Sequence, residues 1–313
     1  DGVFFAGFAL KKHPSLPDFL RSYELRTIST LSPDRELIMA DITLQEIKAA
    51  HRLIAEYNYD LQPVVRGYAG RTLTINLTDN TFTSAPVTEQ MKESFTGGRG
   101  FCLWMLWNAV NANTKWDDPE NALVFAGGPI GGITAYPGTG KATVVSISPQ
   151  THSVMDSNGG GYFGPYLKFS GWDALSIVGK ASEEVIIFID GDTGRITIEA
   201  APLEALDTHK VGKQLTEMYA HNKRDMRSIT VASAGAAADH IHMCGINLSF
   251  YDLRRDEVRF KQAARGGCGT VLRNKKIKAI VVRYSKMSGD SNGPADPALL
   301  RKAGSRINKE IND

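Results

Sequence analysis

The stretch Asn158-Gly-Gly-Gly-Tyr-Phe-Gly-Pro-Tyr-Leu-Lys-Phe-Ser-Gly-Trp-Asp-Ala-Leu175 decides how this chain is read. Consecutive glycines let a backbone approach another group closely and present N–H or C=O to it. Tyr162 to Phe169 then reads as a helix, and Leu175 to Val178 as a strand. Two other segments share the texture. Gly127-Gly-Pro-Ile-Gly-Gly132 runs on to Pro137-Gly-Thr-Gly-Lys141, and Lys261-Gln-Ala-Ala-Arg-Gly-Gly-Cys-Gly269 lies further on. Each carries or adjoins a cation: Lys141, Lys168 or Arg265. Such a set suits a large, flat, phosphorylated cofactor, while glycines also serve simply as tight turns between short strands.

Outward from these loops the chain is a succession of short strands. Arg71 to Leu77 alternates with period two and is rich in β-branched residues, with Thr78-Asp79-Asn80 as its turn. Ala122–Ala126, Thr143–Ile147, Val185–Ile189, Arg195–Ile198, Ile229–Ala232, Arg259–Lys261 and Ile277–Arg283 are further strand candidates. Helices are expected at Val87–Glu93, at the apolar Phe101–Val110, which reads as buried, and at Gly212–Lys223. Near the start, Asp41 is placed to cap a helix whose apolar positions run Leu44, Ile47, Ala50, Leu53 and Ile54, with Pro63 as its stop. No regular β-α-β alternation appears, which favours α+β over a doubly wound sheet. The expected organisation is an N-terminal helical appendage over 1–62, a base domain over 63–287, and a linker with the start of a following helical domain over 288–313. The linker, Ser288 to Pro297, is Gly-, Ser-, Asp- and Pro-rich. The first residue is Asp rather than Met, so an upstream segment is expected.

Composition narrows the classes. The chain has 313 residues, a formal net charge of +2, 30 glycines and three cysteines. A charge so near zero argues against a nucleic-acid binder, and no apolar run approaches the ~20 residues that span a bilayer. Cys102, Cys244 and Cys268 form no Cys-x-x-Cys pair, which excludes a disulfide framework or a cysteine-only cluster within this chain and points to a reducing, cytoplasmic setting. Three decoys fail on their chemistry. Gly138-Thr-Gly-Lys141 has Ala135 and Ala142 where a phosphate loop needs Gly and Ser or Thr. His240-Ile-His242 with Cys244 suits one side of a strand, yet a structural role is the commoner outcome. Cys268 sits in a tight turn near Arg265 with no His–Asp pair in evidence.

The stretch 158–175 followed by Val178-Gly-Lys-Ala181, and Arg265-Gly-Gly-Cys-Gly-Thr-Val271 followed by Lys275-Lys-Ile-Lys-Ala-Ile280, resemble the N-terminal domain of the aldehyde:ferredoxin oxidoreductases. Gly70-Arg71, Gly98-Arg-Gly100, Pro119-Glu-Asn121 and Gly128-Pro129 fall in the matching order, so the resemblance covers about Gly67 to Val282. It implies a β-rich base of two sheets carrying a tungsten, or molybdenum, bis-pyranopterin. It implies a Mg²⁺ between the pterin phosphates, held by the backbone carbonyls of Asn158 and Gln262. Lys141, Asn158, Gly159, Gly160, Gln262, Ala263, Ala264 and Arg265 are the implied cofactor-binding residues. Gln262 stands where the family usually has Ala, and Lys141 where it has an Arg that bridges the pterin to a four-iron cluster; a Lys keeps the charge but not the bidentate fork. The cluster's cysteines and the catalytic Glu and His lie in the family beyond this region, so the 4Fe-4S centre is expected from another part or another chain, and catalytic residues stay unassigned. The resemblance further implies anaerobic aldehyde oxidation, electron transfer to ferredoxin or a similar carrier, and an oligomer. Tungsten-dependent aryl-CoA (benzoyl-CoA type) reduction, or a non-catalytic pterin-binding subunit, are the alternatives. Ser249 to Asp256 is expected to lengthen a loop beside the third glycine segment.

Overall fold

The computed structural model describes residues 43–313 except 203, 289 and 290; the proposed cap Asp41 lies outside them. Two sheets form the frame. The first is ordered β3 (Thr81–Pro86), β2 (Arg71–Asn76), β7 (Ala174–Val178), β4 (Leu123–Gly127), β5 (Ala142–Ile147), β6 (Val154–Gly159). The second is ordered β1 (Arg52–Asn58), β9 (Arg195–Ala200), β8 (Val185–Asp190), β13 (Ile277–Arg283), β10 (Ile229–Ser233), β11 (Ile246–Asp252), β12 (Glu257–Ala263). Within each sheet one neighbouring pair is parallel, β2 with β7 and β8 with β13, and the rest are antiparallel. This is the expected mixed, two-sheet architecture.

The helices, in chain order, are α1 (Leu44–Ala49), α2 (Glu89–Phe95), α3 (Arg99–Ala109), α4 (Phe163–Phe169), α5 (Thr208–Tyr219), α6 (Cys268–Asn274) and α7 (Pro297–Asn312). The helix α4 organises the molecule. All seven of its residues are buried, as befits a helix packed on every side. Phe163, Tyr166 and Leu167 join Leu73, Phe125 and Leu175 of one sheet and Ile187, Ile280 and Leu248 of the other in a single core cluster. The turn after α4 is clamped: Asp173 accepts from the backbone N–H of Ala69 (3.0 Å) and Gly70 (2.8 Å), and Tyr59 donates its hydroxyl to the Ser170 carbonyl (2.7 Å). On the outer face of the six-stranded sheet, α3 buries Phe101, Cys102 and Leu106.

Several elements differ from expectation. The apolar run in α3 is buried on one face only, and Trp107 is 81% exposed. The helix expected to reach Ile54 stops at Ala49; residues from Arg52 leave it because they pair in register with β9, Arg52 opposite Ala200 and Asn58 opposite Arg195. Residues 52–58, grouped with the appendage, therefore form the edge of the seven-stranded sheet. The helix expected at 212–223 runs from Thr208 to Tyr219, since the Asp207 carboxylate accepts from the His209 and Lys210 amides and fixes its start. Residues 249–256 are most of a hairpin, β11 pairing with β12 throughout. At the end, Asp296 caps α7, and Gly304 of that helix packs against the Ala135 carbonyl.

Candidate cofactor-binding site

Strands β6 and β12 are the edges of their respective sheets, and the two edges lie side by side. The β5–β6 register sets Thr143 opposite Asn158 and Ala142 opposite Gly159, which brings Lys141 level with Gly160. The β11–β12 register sets Asn247 opposite Gln262 and Ile246 opposite Ala263. A Cβ on Gly159 would stand 2.3 Å from Leu248 Cδ1 and 3.6 Å from the Ala263 N. A side chain at 159 would thus have to displace the buried Leu248 side chain. Across the seam, the Arg265 amide donates to the Ser157 hydroxyl at 3.0 Å. A Cβ on Gly140 would lie 2.5 Å from the Gly161 carbonyl oxygen, so the first glycine segment touches the second. Lys141, Asn158 to Gly160 and Gln262 to Arg265 consequently share one rim.

The rim is an open ledge. Lys141, Asn158, Gln262, Ala264 and Arg265 are exposed, while Gly159 and Ala263 form its buried floor. Among the described residues, neither Lys141 nor Arg265 has an ion-pair partner, and neither does Lys261, whose Cγ would lie 3.7 Å from a Cβ on Gly160. Lys261 escaped the sequence reading; its signal was its place beside the glycines on an exposed edge. The nearby acid, Asp156, is paired with Arg99 at 2.6 Å, so it leaves the three cations uncompensated. Exposed backbone from glycine-rich edges and unpaired cations are a donor set that fits a phosphorylated group. The same ledge presents backbone carbonyls, the donors a hard cation such as Mg²⁺ takes.

Other sequence candidates fall elsewhere. Lys168 is 2% exposed, and its ammonium bonds the carbonyls of Gly128, Pro129 and Gly131. Cys268 is buried at the start of α6; its thiol donates to the Ala263 carbonyl at 3.0 Å, and burial pushes its pKa up to about 12. It therefore packs rather than reacts. No group of three or more His, Cys, Asp or Glu able to hold a metal ion occurs among the described residues. His242 instead packs beside Trp116, with ring centroids 5.1 Å apart and the planes tilted by 57°. A cleft of about 620 Å³ that His242 helps to line is bounded by Trp116, Asp239 and Arg273, and no ledge residue lines it. Among the described residues no helix is long and apolar enough to cross a membrane.

Two sheets thus meet edge to edge beside a buried helix, with exposed cations and glycines along the seam. Residues 72–284 match the family model for the aldehyde ferredoxin oxidoreductase N-terminal domain. The chain belongs to this family, whose relatives are tungsten oxidoreductases. The tungsten-containing aldehyde ferredoxin oxidoreductase of Pyrococcus abyssi is 35% identical over 223 residues, which are 70% of this chain and 34% of that protein. The WOR-like subunit of an aliphatic sulfonate oxidoreductase from Pyrococcus furiosus is 28% identical over 70% of this chain and 35% of its own length. Among solved structures, the active-site complex BamBC of benzoyl coenzyme A reductase, bound to 1,5-dienoyl-CoA, superposes with a TM-score of 0.61 at 28% identity, over 71% of this chain and 31% of that one. The chain spans about a third of the length of the curated relatives it matches.

Proposed function

We propose that this chain is the pyranopterin-binding base of a tungsten enzyme that oxidises aldehydes to carboxylic acids and passes the electrons to ferredoxin or a similar carrier. The observation that carries this reading is the seam, where Lys141, Asn158 to Gly160 and Gln262 to Arg265 converge with three cations left unpaired. When bound, the tungsten bis-pyranopterin would supply the two-electron oxidation. The chain's own residues bind and orient. The Asn158 and Gln262 carbonyls would hold a Mg²⁺ that binds with the cofactor's phosphates. Lys261 and Arg265 would neutralise phosphate charge, and Lys141 matches the family position that bridges the pterin to a 4Fe-4S centre held elsewhere. Gly159 lets the two edges approach, and Gly160 keeps its part of the ledge free of a side chain where a flat ring system would lie. The ledge is open, so substrate enclosure, acid–base groups and the cluster are the contribution of further protein, in the same chain or a complementary subunit.

Aryl-CoA reduction on the same base is the second reading, favoured by the likeness to BamBC. A pterin-binding subunit without catalysis of its own is the third. Anoxic purification of the complete enzyme with metal analysis and pterin fluorescence tests the base; absence of tungsten, molybdenum and pterin together would overturn it. Viologen-linked turnover with aldehydes against reduction of aryl-CoA esters then separates the first two readings, and activity with neither leaves the third.

A further inference from the structure

The segment 127–141 delivers Lys141 to the ledge, and its tip is closed on itself. The Gly132 amide donates to the Thr139 carbonyl at 2.9 Å, and the Thr139 hydroxyl donates to the Ile133 carbonyl at 2.7 Å. The first half is held from beneath by one side chain. The Lys168 ammonium donates to the carbonyls of Gly128 (2.6 Å), Pro129 (3.0 Å) and Gly131 (3.2 Å) and to Oδ1 of Asn292 (3.2 Å). Four acceptors converge on three N–H groups, so the ammonium is fully used. Asn292, itself buried, donates to the Pro129 carbonyl at 2.6 Å, and its own carbonyl accepts from Gly67 at 2.9 Å.

No carboxylate lies within ion-pair range of Lys168 among the described residues; Asp173, the nearest acid acting on it, is hydrogen-bonded to Ala69 and Gly70. A buried ammonium without a paired carboxylate is a costly choice where an apolar side chain of similar length would fill the space. Every acceptor it touches is on the loop or on the residue that clasps the loop. Its helix, α4, begins immediately after the glycines of the ledge, so Lys168 joins the first glycine segment to the second.

We infer that Lys168 is a positioning residue for the ledge: its ammonium pins Gly128, Pro129 and Gly131 to α4 and thereby keeps Lys141 against the cofactor-binding seam. The link to the cofactor rests on the proposed function; the pinning of the loop rests on the hydrogen bonds alone.

The test uses the complete holoenzyme, wild type and Lys168→Met, Lys168→Arg and Asn292→Ala, purified without oxygen. Two quantities are followed: hydrogen exchange of the Gly131 and Gly132 amides against those of β4 and β5, and the rate of pterin loss on dilution. Loss of charge-assisted bonds in Lys168→Met is expected to speed loop exchange and pterin loss each by about tenfold, with strand exchange unchanged. Lys168→Arg should restore part of both, and Asn292→Ala should show a smaller effect of the same sign. Unchanged loop exchange overturns the inference. So does a uniform rise across β4 and β5, which marks a lysine serving only the core, and so does a loosened loop with pterin loss unchanged. If Lys168→Met does not accumulate folded, Asn292→Ala decides by the same readings. A wild-type enzyme without pterin overturns the proposed function, while the exchange measurement still judges the loop.

Discussion

Leu248 sets how closely the two sheets meet, because its Cδ1 occupies the space a side chain at 159 would need. Gly159→Val should force β6 and β12 apart, cost ~1–3 kcal/mol as overpacking does, and release bound tungsten; denaturant titration and metal analysis check both. Asn158→Ala keeps the backbone carbonyl and loses the bond from the Thr143 hydroxyl to Oδ1 at 3.0 Å and the long one from Nδ2 to Asp156 at 3.4 Å. It should cost about 1 kcal/mol and leave the metal content intact. Lys261→Ala and Arg265→Ala remove exposed, unpaired cations. Stability should move by no more than ~0.5 kcal/mol, while cofactor retention falls, most visibly at low salt. The rim itself was legible from the glycine runs and the family resemblance they carry. Lys261 and Leu248 were not, because their neighbours on β6 lie roughly a hundred residues upstream, beyond any local pattern.

At the scale of elements, the join between α1, β1 and the seven-stranded sheet is ionic. His51 contacts Glu199 at 2.9 Å and Glu204 through its other ring nitrogen, and Tyr219 donates its hydroxyl to Glu199 at 2.8 Å. Lys278, buried beside Glu204 and Glu184, and Arg273, bonded to Glu184 and Asp239, extend the network. Burial opposes the imidazolium, but the two carboxylates outweigh it and raise the His51 pKa from 6.5 to about 9. Burial likewise works against ionised Glu199 and Glu204, yet their hydrogen bonds, chiefly from His51, hold both below the usual carboxylate value. The signs fix a window. The His51 contribution is complete below its unfolded pKa of 6.5 and is lost as pH rises through about 9. The glutamate contributions are present above the ordinary 4.5 and are lost on acidification below it. At about 1.4 kcal/mol per tenfold change in proton affinity, His51 adds about 3 kcal/mol at pH 6. His51→Ala should flatten the alkaline limb of a stability–pH curve measured by denaturant unfolding. Retention of that limb would place its cause outside His51. The same join explains why β1 departs from its sequence pattern: Leu53 and Ile54 continue a helical spacing, but pairing with β9 and the ion cluster at His51 override that local signal.

Across the whole molecule, one core cluster includes residues of both sheets and α4. The sheets should therefore unfold together. Calorimetry on residues 44–313 is expected to give a single transition with equal calorimetric and van't Hoff enthalpies; two transitions would mean that the sheets are separate domains. Leu167→Ala, in the helix they share and fully buried, should destabilise that one transition by ~2–5 kcal/mol. The α+β class could be read from short strands without alternating helices, and the two sheets were implied by the family resemblance, but the strand order could not be read, because the parallel pairs join distant segments. Those pairs also impose a calendar. Leu73 meets Leu175 in the first sheet, whereas Ile187 finds its neighbour only at Ile280. Synthesis proceeds from the N-terminus, so the six-stranded sheet has all its strands once Val178 is made, while the seam must wait for β12 and β13. The ledge is accordingly among the last surfaces to exist during biosynthesis, and loading of any cofactor onto it is a post-assembly event, timed by the completion of the second sheet.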